Sequence, residues 1–117
     1  MYFKQKLGKE GEEYASQYLQ EHGYKIIERN FACRQGEIDI IAKEKEEYIF
    51  IEVKTRTNTH YGKPSEAVDE NKQNHIWNVA KYYLYLHQLE NIFVRFDVIE
   101  VYKRKNQFYI NHIKQIK

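Results

Sequence analysis

The sequence predicts a mixed α/β domain in the order helix, three strands, helix, two strands. Three observations carry this. Apolar residues recur at helical spacing in two separate segments, one ending before Gly23 and one beginning after Pro64. Short runs rich in Ile, Val and Phe fill the other stretches. The charged stretch Lys43-Glu44-Lys45-Glu46-Glu47 has the length of a hairpin loop. A helix separates the third strand from the fourth, and such a crossover allows those two to run parallel. Strand runs flanked by helices argue for one mixed sheet with helices packed on its faces.

The first helix is expected from about Lys6 to His22. Leu7, Gly11, Tyr14, Ala15, Tyr18 and Leu19 form one stripe, and Gly23 stops it. Tyr24 to Phe31 is the first strand, centred on Ile26 and Ile27. Gly36-Glu37-Ile38-Asp39-Ile40-Ile41 and Tyr48-Ile49-Phe50-Ile51-Glu52-Val53-Lys54 are the second and third. Thr55 to Lys63 is polar and without period, hence a loop. Pro64-Ser65-Glu66 opens the second helix, whose apolar face holds Ala67, Val68, Ile76, Val79, Ala80, Tyr83 and Leu84. Phe93 to Tyr102 is the fourth strand, its apolar residues alternating with Arg95, Asp97 and Glu100. Lys103 to Asn106 is a turn, and Phe108 to Ile113 a short fifth strand.

The hairpin concentrates charge where a stable sheet would avoid it. A turn centred between Lys45 and Glu46 sets Asp39 across from Glu52 and Glu37 across from Lys54. Side chains two apart share a face, so all four meet on one side of the sheet. Opposed carboxylates on neighbouring strands repel. A divalent cation relieves the repulsion, because hard carboxylate oxygens suit Mg²⁺, and the adjacent lysine can orient a water. The pattern points to a metal-dependent hydrolytic site. The plain alternative is a solvated strand face with Glu37 and Lys54 as a weak ion pair. A slip of one residue in register would reverse every side chain.

Length and composition bound the rest. The 117 residues make one domain, spanning 1–117, with 42% apolar and 31% charged residues, a soluble globular composition. The N-terminus has no apolar core of a signal peptide, and no stretch is long enough to span a bilayer. Cys33 is the single cysteine, so no intrachain disulfide forms, which fits a reducing cytosol and a cytoplasmic location. Cys33 lacks the companions of a zinc site and is a structural or incidental thiol. A net charge of +2 excludes a basic nucleic-acid coat protein. Residues 61–117 hold 9 Lys and Arg against 6 Asp and Glu, which permits a phosphate-binding face.

Taken together, a glutamate on the first helix, an Asp on one strand and Glu-x-Lys on the next resemble the PD-(D/E)xK nuclease superfamily, the restriction-endonuclease-like fold. Five ordered blocks are similar to the YraN-type bacterial proteins, a group similar to archaeal Holliday junction resolvases. They are Gly8-x-x-Gly11-Glu12, Glu28-Arg29-Asn30-Phe31, Gly36-Glu37-Ile38-Asp39-Ile40-Ile41-Ala42, Glu52-Val53-Lys54-x-Arg56 and Ala67-Val68-Asp69-x-x-Lys72-Gln73. The resemblance runs from about Leu7 to Tyr102.

The resemblance implies a restriction-endonuclease-like core and assigns roles. Asp39 and Glu52 would ligate Mg²⁺ or Mn²⁺, together with the carbonyl of Val53, and Lys54 would stand beside the attacking water. Glu12 would reach in from the first helix, and Gln73 with Lys72 from the second. Arg34, Arg56, His60 and Lys63 lie on loops where cations would meet phosphates. The expected activity is Mg²⁺-dependent cleavage of DNA rather than RNA, including branched or junction DNA, and a two-fold junction calls for a homodimer. Trp77, Tyr82, Tyr83 and Tyr85 sit at helical spacing, as core or interface rather than base-stacking groups. His75, His87 and His112 have no ligand spacing and receive no role. Two other classes compete: a catalytically weak nucleic-acid-binding module on a nuclease fold, and a protein-interaction subunit. Steep salt dependence of binding would mark the nucleic-acid readings.

Overall fold

The computed structural model describes residues 2–56 and 70–116, with the side chains of residues 2–5, 70 and 72 left aside. Its elements are α1 (Tyr2–Glu21), β1 (Lys25–Cys33), β2 (Gly36–Glu44), β3 (Glu47–Arg56), α2 (Glu70–Leu86), β4 (Phe93–Arg104) and β5 (Gln107–Ile113). The sheet has the spatial order β1-β2-β3-β4-β5. All neighbours are antiparallel except β3 and β4, which run parallel across the α2 crossover as expected.

α1 forms because its stripe has a sheet to cover: Leu7, Ala15 and Leu19 are buried. It ends in a Schellman motif. Gly23 (φ 90°) turns the chain, its N–H reaching the carbonyl of Gln20 at 3.2 Å, while Tyr24 N–H reaches that of Leu19 at 2.9 Å. Tyr24 and Leu19 then pack together, the apolar contact this motif favours. α2 ends the same way on Gln88 (φ 54°), with Leu89 N–H reaching the carbonyl of Leu84 at 2.9 Å. Each helix covers one face of the sheet. α1 packs on Ile40, Ile49, Ile51 and Ile99, and Ile76, Val79 and Tyr83 of α2 pack on Ile41, Phe50 and Phe96.

The β2–β3 register is the one expected from loop symmetry. Ile40 pairs with Ile51, Ile41 with Phe50 and Ala42 with Ile49. The ladder then stops. Asp39–Glu52 and Glu37–Lys54 are not among the paired positions; β2 continues against β1 alone and β3 against β4 alone. The two strands part at the point where both change from isoleucine to a carboxylate. The expectation that four charged side chains share one continuous face is therefore corrected. Ile38 packs on the α2 side and Ile40, two residues on, on the α1 side, so alternation breaks at Asp39.

Two further differences have simple causes. Thr55 and Arg56 continue β3 rather than opening a loop, because β4 supplies partners as far as Tyr102. The strand–turn boundary after Tyr102 shifts, with β4 and β5 pairing to Arg104–Gln107 around Lys105 and Asn106. Arg95, Asp97 and Glu100 are buried despite their charge, because β4 lies inside the sheet with a helix over each face. The helix opening at Pro64 and the rest of the expected loop lie outside the described residues.

Gly11 sets how closely α1 approaches β3. A Cβ there would collide with the Thr55 hydroxyl. Gly11→Ala is expected to lift the helix from the sheet and lower stability by ~1–3 kcal/mol despite alanine's better helix propensity. Denaturant unfolding checks this, and Thr55→Ser beside it should leave the clash in place. An unchanged or raised midpoint would show that the approach is not tight.

Candidate carboxylate site at an opened strand pair

The parting of β2 and β3 leaves backbone donors of β3 without a strand partner on that side, and a side chain takes one over. The Val53 N–H donates to Asp39 Oδ2 at 2.8 Å. The Asp39 carboxyl also shares a hydrogen bond with that of Glu52. Two ionised carboxylates cannot do this, so one of the pair carries a proton. Burial, then the Glu52 charge, and more weakly the Glu12 charge, push the Asp39 carboxyl up to about 8, against the lowering effect of the Val53 amide.

Glu12 acts on Asp39 from α1 through its charge. It is steadied by a residue with no expected role: Arg29 of β1 places Nη2 3.7 Å from Glu12 and Nη1 2.9 Å from Glu13. Lys54 follows on β3, and its cross-strand partner is Glu100 of β4. Arg56 closes the strand with Nε 3.4 Å from Glu100 Oε2. Gln73 is half-buried on α2, and Arg34 is exposed in the β1–β2 turn. Lys63 and His60 lie outside the described residues, and the Lys72 side chain is not described.

Glu52 opens onto a cleft of 330 Å³ whose lining includes Gln35, Glu37, Asn71, His75 and Val79. Glu37 therefore belongs to the cleft rather than to a ladder pair with Lys54. Asn71 and His75 were not singled out for this place. Their spacing of four to each other and to Val79 was the available signal, since it aligns all three on one helix face.

The donors suit a hard divalent cation. Mg²⁺ commonly takes one or two carboxylates and completes its shell with water and phosphate oxygens. Asp39, Glu52 and the Val53 carbonyl are such donors. Among the described residues no group of three or more His, Cys, Asp or Glu side chains is arranged to hold a metal. Binding here would rest on two carboxylates, with Glu12 as neighbouring charge.

A second polar centre lies on the α1 side of β4. The Asp97 carboxylate accepts from Arg95 Nε and Nη2, each at 2.9 Å, from the Gln115 N–H at 2.9 Å and from His112 Nε2 at 2.7 Å. His112 Nδ1 meets the Tyr18 hydroxyl at 2.9 Å, and Arg95 Nη2 donates to the Tyr24 hydroxyl at 2.8 Å. Burial alone would raise the Asp97 carboxyl, but His112, Arg95 and the Gln115 amide outweigh it and hold the group below its ordinary value. This centre ties α1, β4, β5 and the C-terminal segment together.

A five-stranded mixed sheet with a helix on each face and a carboxylate pair on its second and third strands defines a protein of the restriction-endonuclease-like fold class. The chain belongs to the family described as Uncharacterised protein family UPF0102, the YraN-type proteins, whose pattern residues 11–101 match. It is 48% identical over 113 residues to a UPF0102 protein of Caldicellulosiruptor saccharolyticus, covering 95% of this chain and 96% of that one. UPF0102 protein TTE1452 of Caldanaerobacter subterraneus subsp. tengcongensis is 44% identical, covering 97% and 93%. A UPF0102 protein of Clostridium botulinum is 50% identical, covering 86% and 82%. Among solved structures, that of Pyrococcus furiosus SfsA in complex with Ca²⁺ aligns with a TM-score of 0.33 at 11% identity, covering 86% of this chain and 58% of that one. No helix among the described residues is long and apolar enough to cross a membrane.

Proposed function

We propose that this protein is a Mg²⁺- or Mn²⁺-dependent endonuclease that hydrolyses phosphodiester bonds of DNA, with branched or junction DNA as the substrate class suggested by the likeness to junction resolvases. The observation that carries the proposal is the Asp39–Glu52 pair, two carboxyls brought together where the β2–β3 ladder ends, with Asp39 Oδ2 accepting the freed Val53 N–H at 2.8 Å. A site built for stability alone would not retain that repulsion.

Hydrolysis adds a water oxygen to phosphorus, breaks one P–O ester bond and delivers a proton to the leaving oxygen. Asp39 and Glu52 would hold the cation, with the Val53 carbonyl as a further donor and Glu12 reinforcing the negative field. The cation would supply Lewis acidity toward the phosphate. Lys54 holds the attacking water and offsets charge that develops on the non-bridging oxygens. Gln73 and Lys72 of α2 would assist at the site, and Arg34, Arg56 and Lys63 would supply backbone-phosphate contacts. Cutting both strands of a two-fold junction requires two copies of the chain.

The test is calorimetric titration of Mg²⁺ and Mn²⁺ into the parent and Glu52→Gln above pH 8, where the shared proton is lost. Binding in the parent that disappears in the variant supports the site, and cleavage is then screened on duplex, flap and four-way DNA. Equal binding by both proteins removes Glu52 from the site. Metal binding with DNA binding but no cleavage would favour the binding-module reading.

A further inference from the structure

The two edges of the sheet are built differently. β1 forms one and β5 the other. β1 is guarded: its pairing with β2 shifts between Ile26 and Glu28, Asn30 takes a left-handed φ of 56°, and Lys25, Glu28 and Arg29 put charge along it. Such devices keep an edge strand from recruiting another. β5, Gln107-Phe108-Tyr109-Ile110-Asn111-His112-Ile113, has none of them. Its register with β4 is unbroken, and it holds no Pro, Asp, Glu, Lys or Arg. Its histidine is turned inward to Asp97 and Tyr18. Among the described residues nothing pairs with the outer side of β5. The chain beyond it does not fold back over that side, because the Ile116 N–H reaches the Phe96 carbonyl at 2.7 Å and so runs on beside β4.

This strand can meet its own copy without opposing charges. A two-fold axis through Ile110, normal to the sheet, pairs all 7 residues antiparallel. Phe108 then faces the partner's His112, Tyr109 the partner's Asn111, and Ile110 the partner's Ile110. Gln107, Tyr109 and Asn111 are exposed on one face, Tyr109 by 50%. Phe108 and Ile110 pack toward α1 on the other. A strand pair of this length is small beside a standard interface. A groove of 400 Å³ whose lining includes Tyr14, Gln17 and Phe108 adjoins it and offers the partner further surface.

We propose that β5 is the interface of a homodimer, joining two copies edge to edge into one continuous sheet. An axis normal to the sheet keeps like faces together, so both clefts, which α2 lines, open on the same side. Glu52 is level with Val98 of β4 and, through it, with Ile113 of β5. Strand spacing and rise then set the two Glu52 residues on the order of 30 Å apart. One branched DNA could meet both. That use of the dimer rests on the nuclease reading above; the interface does not.

Sedimentation and cysteine cross-linking, both without DNA or metal, test the interface. The full chain, in a Cys33→Ser background, would carry either Ile110→Cys or Tyr109→Cys. Opposed residues of an antiparallel pair have Cα atoms roughly 4.5–5.5 Å apart, within disulfide range. Ile110→Cys faces itself across the axis and is expected to form a covalent dimer under mild oxidation. Tyr109→Cys lies diagonal to its copy, roughly 7–8 Å away, and should cross-link at least about ten-fold more slowly. Random collision would favour the exposed position 109, so the order of the two rates decides. Tyr109→Lys sets two lysines against each other on that same diagonal, and is expected to raise the dimer dissociation constant about ten-fold or more. Faster cross-linking of Tyr109→Cys overturns the proposal, as does a parent that sediments as a monomer up to high micromolar concentration. A dimer indifferent to Tyr109→Lys also overturns it, and moves the interface to the exposed Tyr85, Leu86 and Phe93. Should Ile110→Cys fail to fold, the response to Tyr109→Lys decides alone. A β5 dimer that neither binds metal nor cuts DNA sinks the nuclease reading and leaves this interface standing.

Discussion

Asp39→Asn is expected to make the metal-free protein more stable above pH 8 and to abolish Mg²⁺-dependent cleavage. The sign follows from linkage. The Asp39 carboxyl is raised from 3.8 to about 8 by burial and then by Glu52, so across that interval the folded state holds a proton that the unfolded chain has lost. Stability contributed by this group is fully present below the ordinary carboxylate value and is lost as pH rises toward 8. The amide variant removes both the charge and the slope, and retains an oxygen to accept the Val53 N–H. The gain above pH 8 should be on the order of a few kcal/mol. Urea unfolding of both proteins from pH 4 to 9 measures it. In the same experiment Mg²⁺ should raise the parent's midpoint and leave the variant's unmoved. A variant less stable than the parent at pH 9, or one that cleaves DNA as well as the parent, removes Asp39 from the proposed role.

Asp97→Ala is expected to be the most destabilising single truncation outside the apolar core. It would strip the acceptor from Arg95, His112 and the Gln115 N–H together, leaving a buried guanidinium without its main counter-charge. Breaking a buried, hydrogen-bonded charge pair in this way costs ~3–5 kcal/mol. For a domain of this size that corresponds to a fall of ~10 °C or more in the unfolding midpoint. The pH behaviour runs opposite to that of Asp39. The Asp97 carboxyl is held below its ordinary value, so its contribution is present above that value and is lost as pH falls through the folded one. The parent should therefore lose more stability than Asp97→Ala on acidification below the ordinary carboxylate range. A loss under ~1 kcal/mol at neutral pH would show that the cluster is solvated after all.

Much of the fold was legible locally. The Leu7–Ala15–Leu19 stripe and Gly23 define α1 and its end, and five charged residues between two apolar runs define a hairpin and its register. The helical connection between β3 and β4 permits their parallel pairing, and the structure has it. The candidate acids Asp39 and Glu52 were legible too, because like charges opposite each other on paired strands stand out against the usual pattern. Less legible was how the pair is arranged. The expected face shared by Glu37, Asp39, Glu52 and Lys54 assumed a ladder that continues, whereas it stops at Ile40–Ile51.

Burial of Arg95, Asp97 and Glu100 was not legible. Alternation of charged and apolar residues does not fix exposure: β4 is covered on both faces, Arg95 and Asp97 pair with each other, and their further partners come from distant parts of the chain. Tyr24 lies 71 positions from Arg95, and Tyr18 lies 94 from His112. His112 had no ligand spacing because its partners are not on its own strand.

The sequence by itself determined the order of elements, the hairpin register and which residues bring carboxylates to adjacent strands, since these depend on period, turn length and local alternation. Only the tertiary structure decided that the strands part at Asp39, that Arg29 steadies Glu12, and that two charged clusters are buried within β4. Those outcomes depend on which surfaces meet when helices close over the sheet. Burial, and the pairing it forces on charge, is a property of the assembled layers and not of any segment within them.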